Sequence, residues 1–330
     1  MTLFLGALAV LVLGGLAAAA AGRRSDLATA LGAGSALLGG ALGTLAVGAV
    51  LFGRVELVGA YSWGAPFGTI ELGIDFLSAV FLLPAFVVPA LAAIYGAGYL
   101  QPWRRERLLG VPWLSYNVLS AAMALVLAAR SALVFLVAWE VMALASFLLV
   151  TFEHERLEVR RAGWTYLVAT HLGTAALLVF FLLLGRASGH FDFHTALAPH
   201  AGAGEGAGAG VSAVGPGVLF LLALVGFGTK AGLAPLHVWL PDAHPAAPSH
   251  VSAVMSGVMI KTGIYGILRA TTLLGAPAWW WGASLLGVGI ATSLVGVLFA
   301  LAQHDLKRLL AYSSVENVGI IAMGMGMGLL

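Results

Sequence analysis

Ten apolar runs of about 20 residues, each long enough to cross the hydrocarbon core of a bilayer as a helix, limit what this chain can fold into. They cover Leu3 to Ala21, Leu27 to Phe52, Phe76 to Leu100, Val111 to Ala129, Ser131 to Phe152, Gly163 to Leu184, Val218 to Leu240, Ser252 to Leu273, Trp279 to Leu301 and Leu309 to Leu330. Hydrophobic residues make up 61% of the 330 residues and charged residues only 9%, too few to coat a soluble core of this size. The expected fold is an all-α, polytopic transmembrane helix bundle of about ten spans. No basic residue precedes the first run, so it reads as a retained span rather than a cleaved signal peptide.

Lysine and arginine counts orient the bundle when alternate loops are placed on the same side. One side collects Arg23, Arg24, Arg104, Arg105, Arg107, Arg156, Arg160, Arg161, Lys307 and Arg308; the other holds Arg54, Arg130, Arg186 and Arg269. The expectation is a multi-pass protein of the cell (inner or plasma) membrane, with its N-terminus outside and its basic loops cytoplasmic. The three tryptophans Trp279 to Trp281 read as an aromatic belt at the interface.

Two outside loops are long. Residues 54–75 alternate loosely and suggest a hairpin, while 187–217 contains AGAGEGAGAG, a flexible linker by composition. In the second loop, His190, Asp192 and His194 with His200 nearby are conceivable metal ligands, but a flexible loop seldom preorganises a site, so no metal is expected. The chain has no cysteine, which excludes cysteine-ligated iron–sulfur clusters and argues against a resident redox centre or other cofactor. A net charge of +2 gives no reason to expect a nucleic-acid partner.

Four ionisable residues stand inside the apolar runs: Glu140, Lys230, Lys261 and Glu316. A charge at the centre of a membrane helix costs about 2.5 to 3.5 kcal/mol on insertion scales, so each calls for a partner or a water path. Counted at about 1.5 Å per residue from Phe152, Pro241 and Pro248, the residues Glu140, Lys230 and Lys261 lie about 17 to 20 Å from the cytoplasmic ends. A shared level near the midplane suggests a lateral row of sites. Gly232 and Pro235 cannot continue a regular helix, so the seventh segment is expected to break just after Lys230. Backbone freed by such breaks lines wet or protein-buried cavities, where transporters place ion sites.

A lysine in that setting changes protonation readily, because low dielectric disfavours its charge and an approaching carboxylate restores it. Glu140 moving toward or away from Lys230 would make it a switchable carrier. Lys261 would receive the proton through water, with His237, His171 or His250 as relays, since a neutral imidazole both donates and accepts. Glu316 is a further candidate for the path. Plainer readings stand beside these: a structural Glu140–Lys230 ion pair, a hydrogen-bonded packing role for His171, or a boundary pair of Glu316 with Lys307 or Arg308. Snorkelling of Lys261 is opposed by its depth.

Over these residues the chain resembles a known family. The stretch TKAGLAPLHVWLPDAHPAAPSHVSAVMSGVMIKTGIYGILR, followed by LKRLLAYSSVENVGII, is similar to the antiporter-like, proton-translocating membrane subunits of respiratory complex I and of group 4 nickel–iron hydrogenases. With WEVMALASFLLV, the likeness leans toward the membrane subunits of the hydrogenase-4 and formate hydrogenlyase type. It covers segments four to ten and is most specific over Lys230 to Arg269.

The resemblance implies that Glu140 is the carboxylate of the fifth helix, Lys230 the lysine of the broken seventh, and Lys261 the central lysine of the eighth. It further implies a buried proton path driven by redox chemistry in neighbouring subunits, so the partners are other membrane subunits, a peripheral redox arm and the bilayer. On that scheme residues 1–110 form a three-helix membrane region, 111–274 an antiporter-like five-helix repeat, and 275–330 the start of a second, inverted repeat. The ionisable residue that the family carries on its twelfth helix is missing, so the chain reads as a fragment, a split subunit or an incomplete gene product.

Two functions compete. The first is a non-redox, proton-translocating subunit of an oxidoreductase complex of the NADH:quinone or nickel–iron hydrogenase class; the second is a subunit of a multisubunit sodium/proton antiporter. A scaffold without transport would leave the insertion cost of Lys230 and Lys261 unexplained.

Overall fold

The computed structural model describes residues 1–64, 68–188 and 215–330. Nearly all of the 187–217 linker, with His190, Asp192, His194 and His200, lies outside the described residues. Among the described residues no cluster of histidine, aspartate and glutamate is arranged to hold a metal.

Eleven helices account for the described chain: α1 (Thr2–Ala20), α2 (Ser25–Gly53), α3 (Phe76–Tyr99), α4 (Gly110–Ala128), α5 (Ala132–Val150), α6 (Leu157–Ser188), α7 (Pro216–Ala231), α8 (Leu240–Ala246), α9 (Ser249–Leu273), α10 (Trp279–Leu301) and α11 (Leu306–Leu329). Eight are long and apolar enough to cross a membrane, namely α1 to α6, α9 and α10. The chain is thus an all-helical, polytopic membrane bundle. Two of the ten expected runs fall outside those eight. The seventh stops at Ala231 as the shorter α7, and α11 carries Lys307, Arg308, Glu316 and Asn317 along its length. The hairpin expected in 54–75 is present as β1 (Leu57–Gly64) and β2 (Gly68–Ile74), antiparallel with Leu57 opposite Ile74 and Tyr61 opposite Ile70.

The helices form two compact units. The first comprises residues 1–129, 137–164 and 245–259. Its packing centre is α2, whose glycines and alanines let neighbours approach its backbone closely. Leu11 of α1 covers Gly39, Phe86 of α3 covers Gly43, and Trp113 of α4 covers Gly32. Asn117 is satisfied locally in this apolar setting: it donates to the carbonyls of Gly32 (3.0 Å) and Trp113 (2.9 Å), joining α2 to α4. Asp75 caps α3 by accepting from the Ser78 N–H at 2.8 Å.

The second unit comprises residues 130–136, 165–244 and 260–330. Here α10 and α11 pair along glycines spaced seven apart, Gly282, Gly289 and Gly296 on one and Gly319 and Gly326 on the other. A Cβ at Gly289 would fall 2.7 Å from the Met323 nitrogen, so the two backbones touch. Arg269, counted above among the loop residues of the outside, is instead 7% exposed inside α9, where its Nε and Nη2 donate to the Tyr265 hydroxyl. A charge count along the chain treats it as a loop end; helix length puts it one turn inside.

Candidate functional site

The expected break after Lys230 is present. α7 ends at Ala231, and Gly232 turns the chain at φ 85°, a left-handed conformation that a side chain would strain. The N–H groups of Gly232 and Leu233 both reach the Gly228 carbonyl, at 2.9 and 3.0 Å. The peptide bond before Pro235 is cis. What a continuous helix would satisfy internally is met here from elsewhere: the Ala234 N–H donates to Thr292 Oγ1 of α10 at 3.0 Å, and Trp239 Nε1 donates to the Thr229 carbonyl at 2.8 Å. These bonds fix the loop that carries residues 232–239.

Lys230, on the last turn of α7, is 2% exposed. Its ammonium donates to the Tyr166 hydroxyl at 3.0 Å and lies 5.3 Å from the centre of that ring. Tyr166 in turn packs edge-on against Trp239, with centroids 5.1 Å apart. The helix end therefore presents its lysine to an aromatic wall with a hydroxyl in it.

Lys261 is half-buried on α9. Two residues beyond it, Gly263 brings α9 against α7: a Cβ there would fall 2.5 Å from the Phe227 carbonyl oxygen and 2.7 Å from the Ala231 nitrogen. Only glycine permits that approach. The same helix is irregular just before the lysine, with a π turn over Met255–Met259.

The histidines separate. His237 sits half-buried in the loop after the break, with its Nδ1 enclosed and without a hydrogen-bond partner among the described residues. His244, to which the sequence assigned no role, is 2% exposed in α8, packs 6.4 Å from the Trp239 ring, and interacts electrostatically with Lys261. Its signal was present in the run of three histidines, His237, His244 and His250, that follows the break. His250 belongs to the first unit and is 3% exposed, its ring within 5.5 to 6.1 Å of Tyr116, Tyr99 and Trp113 and its edge against Gly96. His171 is exposed on α6, with Nδ1 2.8 Å from the Leu167 carbonyl of its own helix.

Of the carboxylates, Glu140 is half-buried on α5 in the first unit, its Oε1 shielded from solvent. Glu316 is half-buried on α11, where its backbone abuts Gly296 and its carbonyl accepts from Ser293 Oγ. Arg308, one of its suggested partners, pairs with Asp242 at 2.6 Å instead. In the second unit the structure therefore brings Lys230 to Tyr166 and Tyr166 to Trp239, and places Lys261 within electrostatic reach of His244.

Comparison with known proteins fits this geometry. A family model described as NADH:quinone oxidoreductase/Mrp antiporter, TM, matches residues 129–329. Hydrogenase-4 component B of Escherichia coli (strain K12) is 39% identical over 299 residues, which covers 89% of this chain and 43% of that protein. This chain thus spans less than half the length of that relative. Among solved structures, a chain of the archaeal membrane-bound sulfane sulfur reductase superposes with a TM-score of 0.81 at 26% identity, over 97% of this chain and 51% of that one. A chain of the Mrp complex from Dietzia sp. gives 0.83 at 27%, over 99% and 34%. The resemblance read from residues 229–269, including its lean toward the hydrogenase-4 type, is borne out.

Proposed function

Because the chain belongs to the NADH:quinone oxidoreductase/Mrp antiporter transmembrane family, we propose that it is a proton-translocating membrane subunit whose carriers are the ionisable groups at the broken helix. The observation that carries this reading is Lys230, an ammonium 2% exposed at a helix break, held by a tyrosine hydroxyl. Lys230 takes and releases the proton, and the backbone freed after Ala231 gives water a place to meet it. His237 and His244 relay toward Lys261. Glu140 is assigned the role of the switching carboxylate, on the strength of the resemblance. His250 in its aromatic packing, Glu316 and exposed His171 are secondary to these. The three-part organisation into 1–110, 111–274 and 275–330, with the N-terminus outside and the basic loops cytoplasmic, belongs to the same proposal.

Moving one charge against 100 mV takes about 2.3 kcal/mol, which this chain has no chemistry of its own to supply. The named relative, a hydrogenase component, supports coupling to electron transfer in partner subunits and a peripheral redox arm. The Mrp likeness supports a second reading, a subunit of a cation/proton antiporter driven by an opposing gradient. Co-purifying partners separate the two: a nickel–iron or quinone-reducing arm supports the first, and small membrane subunits alone the second.

The test is Lys230→Ala in the complete complex reconstituted in vesicles, with ion pumping followed alongside electron transfer. Loss of pumping in an assembled complex is expected; unchanged pumping would overturn the transport reading. Because the chain has no cysteine, single cysteines introduced beside Arg24 and beside Glu56 report the orientation by their labelling from either side.

A further inference from the structure

The turn between α1 and α2 and the 3₁₀ turn Gln101–Arg105 that follows α3 share one open cavity of about 780 Å³. Arg23, Arg24, Asp26 and Leu27 line it from the first segment, Arg104 and Arg105 from the second. Four guanidiniums therefore meet one carboxylate, from chain segments some eighty residues apart. Guanidiniums remain charged at every physiological pH, so in a common cavity they repel one another until an anion enters. Among the described residues Asp26 accepts from Arg104 and occupies that one group. The Nε of the same Arg104 is buried and has no hydrogen-bond partner among the described residues, an arrangement that costs free energy until an acceptor arrives. Anchoring a membrane protein needs basic residues near its spans. It does not need them gathered around a cavity.

The place of the cavity narrows the anion. Its walls are the turn after α1, the first residues of α2 and the 3₁₀ turn after α3, and all three helices are candidate spans, so it opens where bilayer meets water. Leu27, 43% exposed, adds an apolar rim. Arginine forks bind phosphate oxygens two at a time, and basic pockets between membrane helices suit phospholipid headgroups. The volume is that of a small-molecule site, far more than one phosphate fills. We propose that this cavity binds the phosphate headgroup of an anionic phospholipid, with the glycerol inside the pocket and the acyl chains leaving past Leu27.

The test is native mass spectrometry of the full chain in detergent, titrated with phosphatidylglycerol or phosphatidylcholine. Wild-type protein should retain one phosphatidylglycerol in preference to phosphatidylcholine. At roughly fivefold per basic residue near a membrane surface, Arg104→Gln should weaken retention about fivefold and replacement of all four arginines by glutamine by two orders of magnitude or more. Should the fourfold variant fail to fold, Asp26→Asn decides in the other direction, because removing the competing carboxylate should tighten binding. Arg156→Gln with Arg160→Gln, basic residues away from the cavity, should leave retention unchanged. Equal retention of the two lipids, or indifference to both Arg104→Gln and Asp26→Asn, would overturn the proposal. So would displacement of the lipid by millimolar inorganic phosphate, which would make the free ion the ligand.

Discussion

Two lysines sit beside two kinds of irregular helix. At Lys230 the helix stops: α7 ends one residue later, and around the break the Thr229 carbonyl and the Ala234 N–H are satisfied by Trp239 and Thr292, side chains 10 and 58 residues away. At Lys261 the helix only widens, through a π turn at Met255–Met259 that keeps its bonding within α9. The first lysine is fully buried against Tyr166, while the second is half-buried and acts electrostatically on His244. A break frees polar backbone and so needs tertiary partners; a π turn stays within the helix, and acts by turning every later side chain about the helix axis. One device hands backbone groups to distant side chains and the other sets an angle.

Four experiments sharpen or break this contrast. The largest effect is expected from Gly263→Leu, which drives a side chain into the Phe227 carbonyl and the Ala231 nitrogen at the end of α7. Backbone atoms cannot yield as side chains do, so the loss should be about 3 kcal/mol, seen as a fall in the folded fraction on gel filtration after heating in detergent. Next is deletion of Gly257, which converts the π turn to regular helix and rotates Lys261 by about 100°. Protein should still fold, with transport in vesicles down by about tenfold or more; retained transport would show that the π turn sets nothing that matters to Lys261.

Trp239→Phe keeps the ring against Tyr166 but leaves the Thr229 carbonyl without its donor. It should cost about 1 kcal/mol in denaturation. The smallest effect is expected at an exposed loop pair outside the irregular helices. Arg107, hydrogen-bonded to exposed Glu155, holds that carboxyl below its usual 4.5. A depressed folded value means the pair stabilises above the unfolded value and is lost as pH falls through the lower one. Glu155→Gln should therefore lower thermal stability slightly at neutral pH and not at all in acid, while leaving transport unchanged. An altered transport rate would show that the irregular helices are not insulated from the loop.

Much of this molecule was legible along the chain because the bilayer imposes a single rule, that backbone polar groups be satisfied within each span. Run length alone therefore gave the helical class and most helix positions, and alternation bounded by turn residues gave the 57–74 hairpin. The break after Lys230 was legible too, since Gly232 and Pro235 are local obstacles to a helix that no neighbour can remove. Residues of the second kind depend on what comes near them in space. Nothing in MSGVM announces a π turn, Arg269 reads as a loop end until α9 is seen to enclose it, and His171 and His244 look alike in sequence though one is exposed and the other buried. Tyr166 as the partner of Lys230 is sixty-four residues distant and carries no local mark. The sequence by itself determined which groups are charged, which segments are helical and where a helix must stop, because these follow from covalent structure and solvent. Only the tertiary structure decided which polar side chains are enclosed and which groups they meet, because burial and partnership belong to the packing of several segments at once.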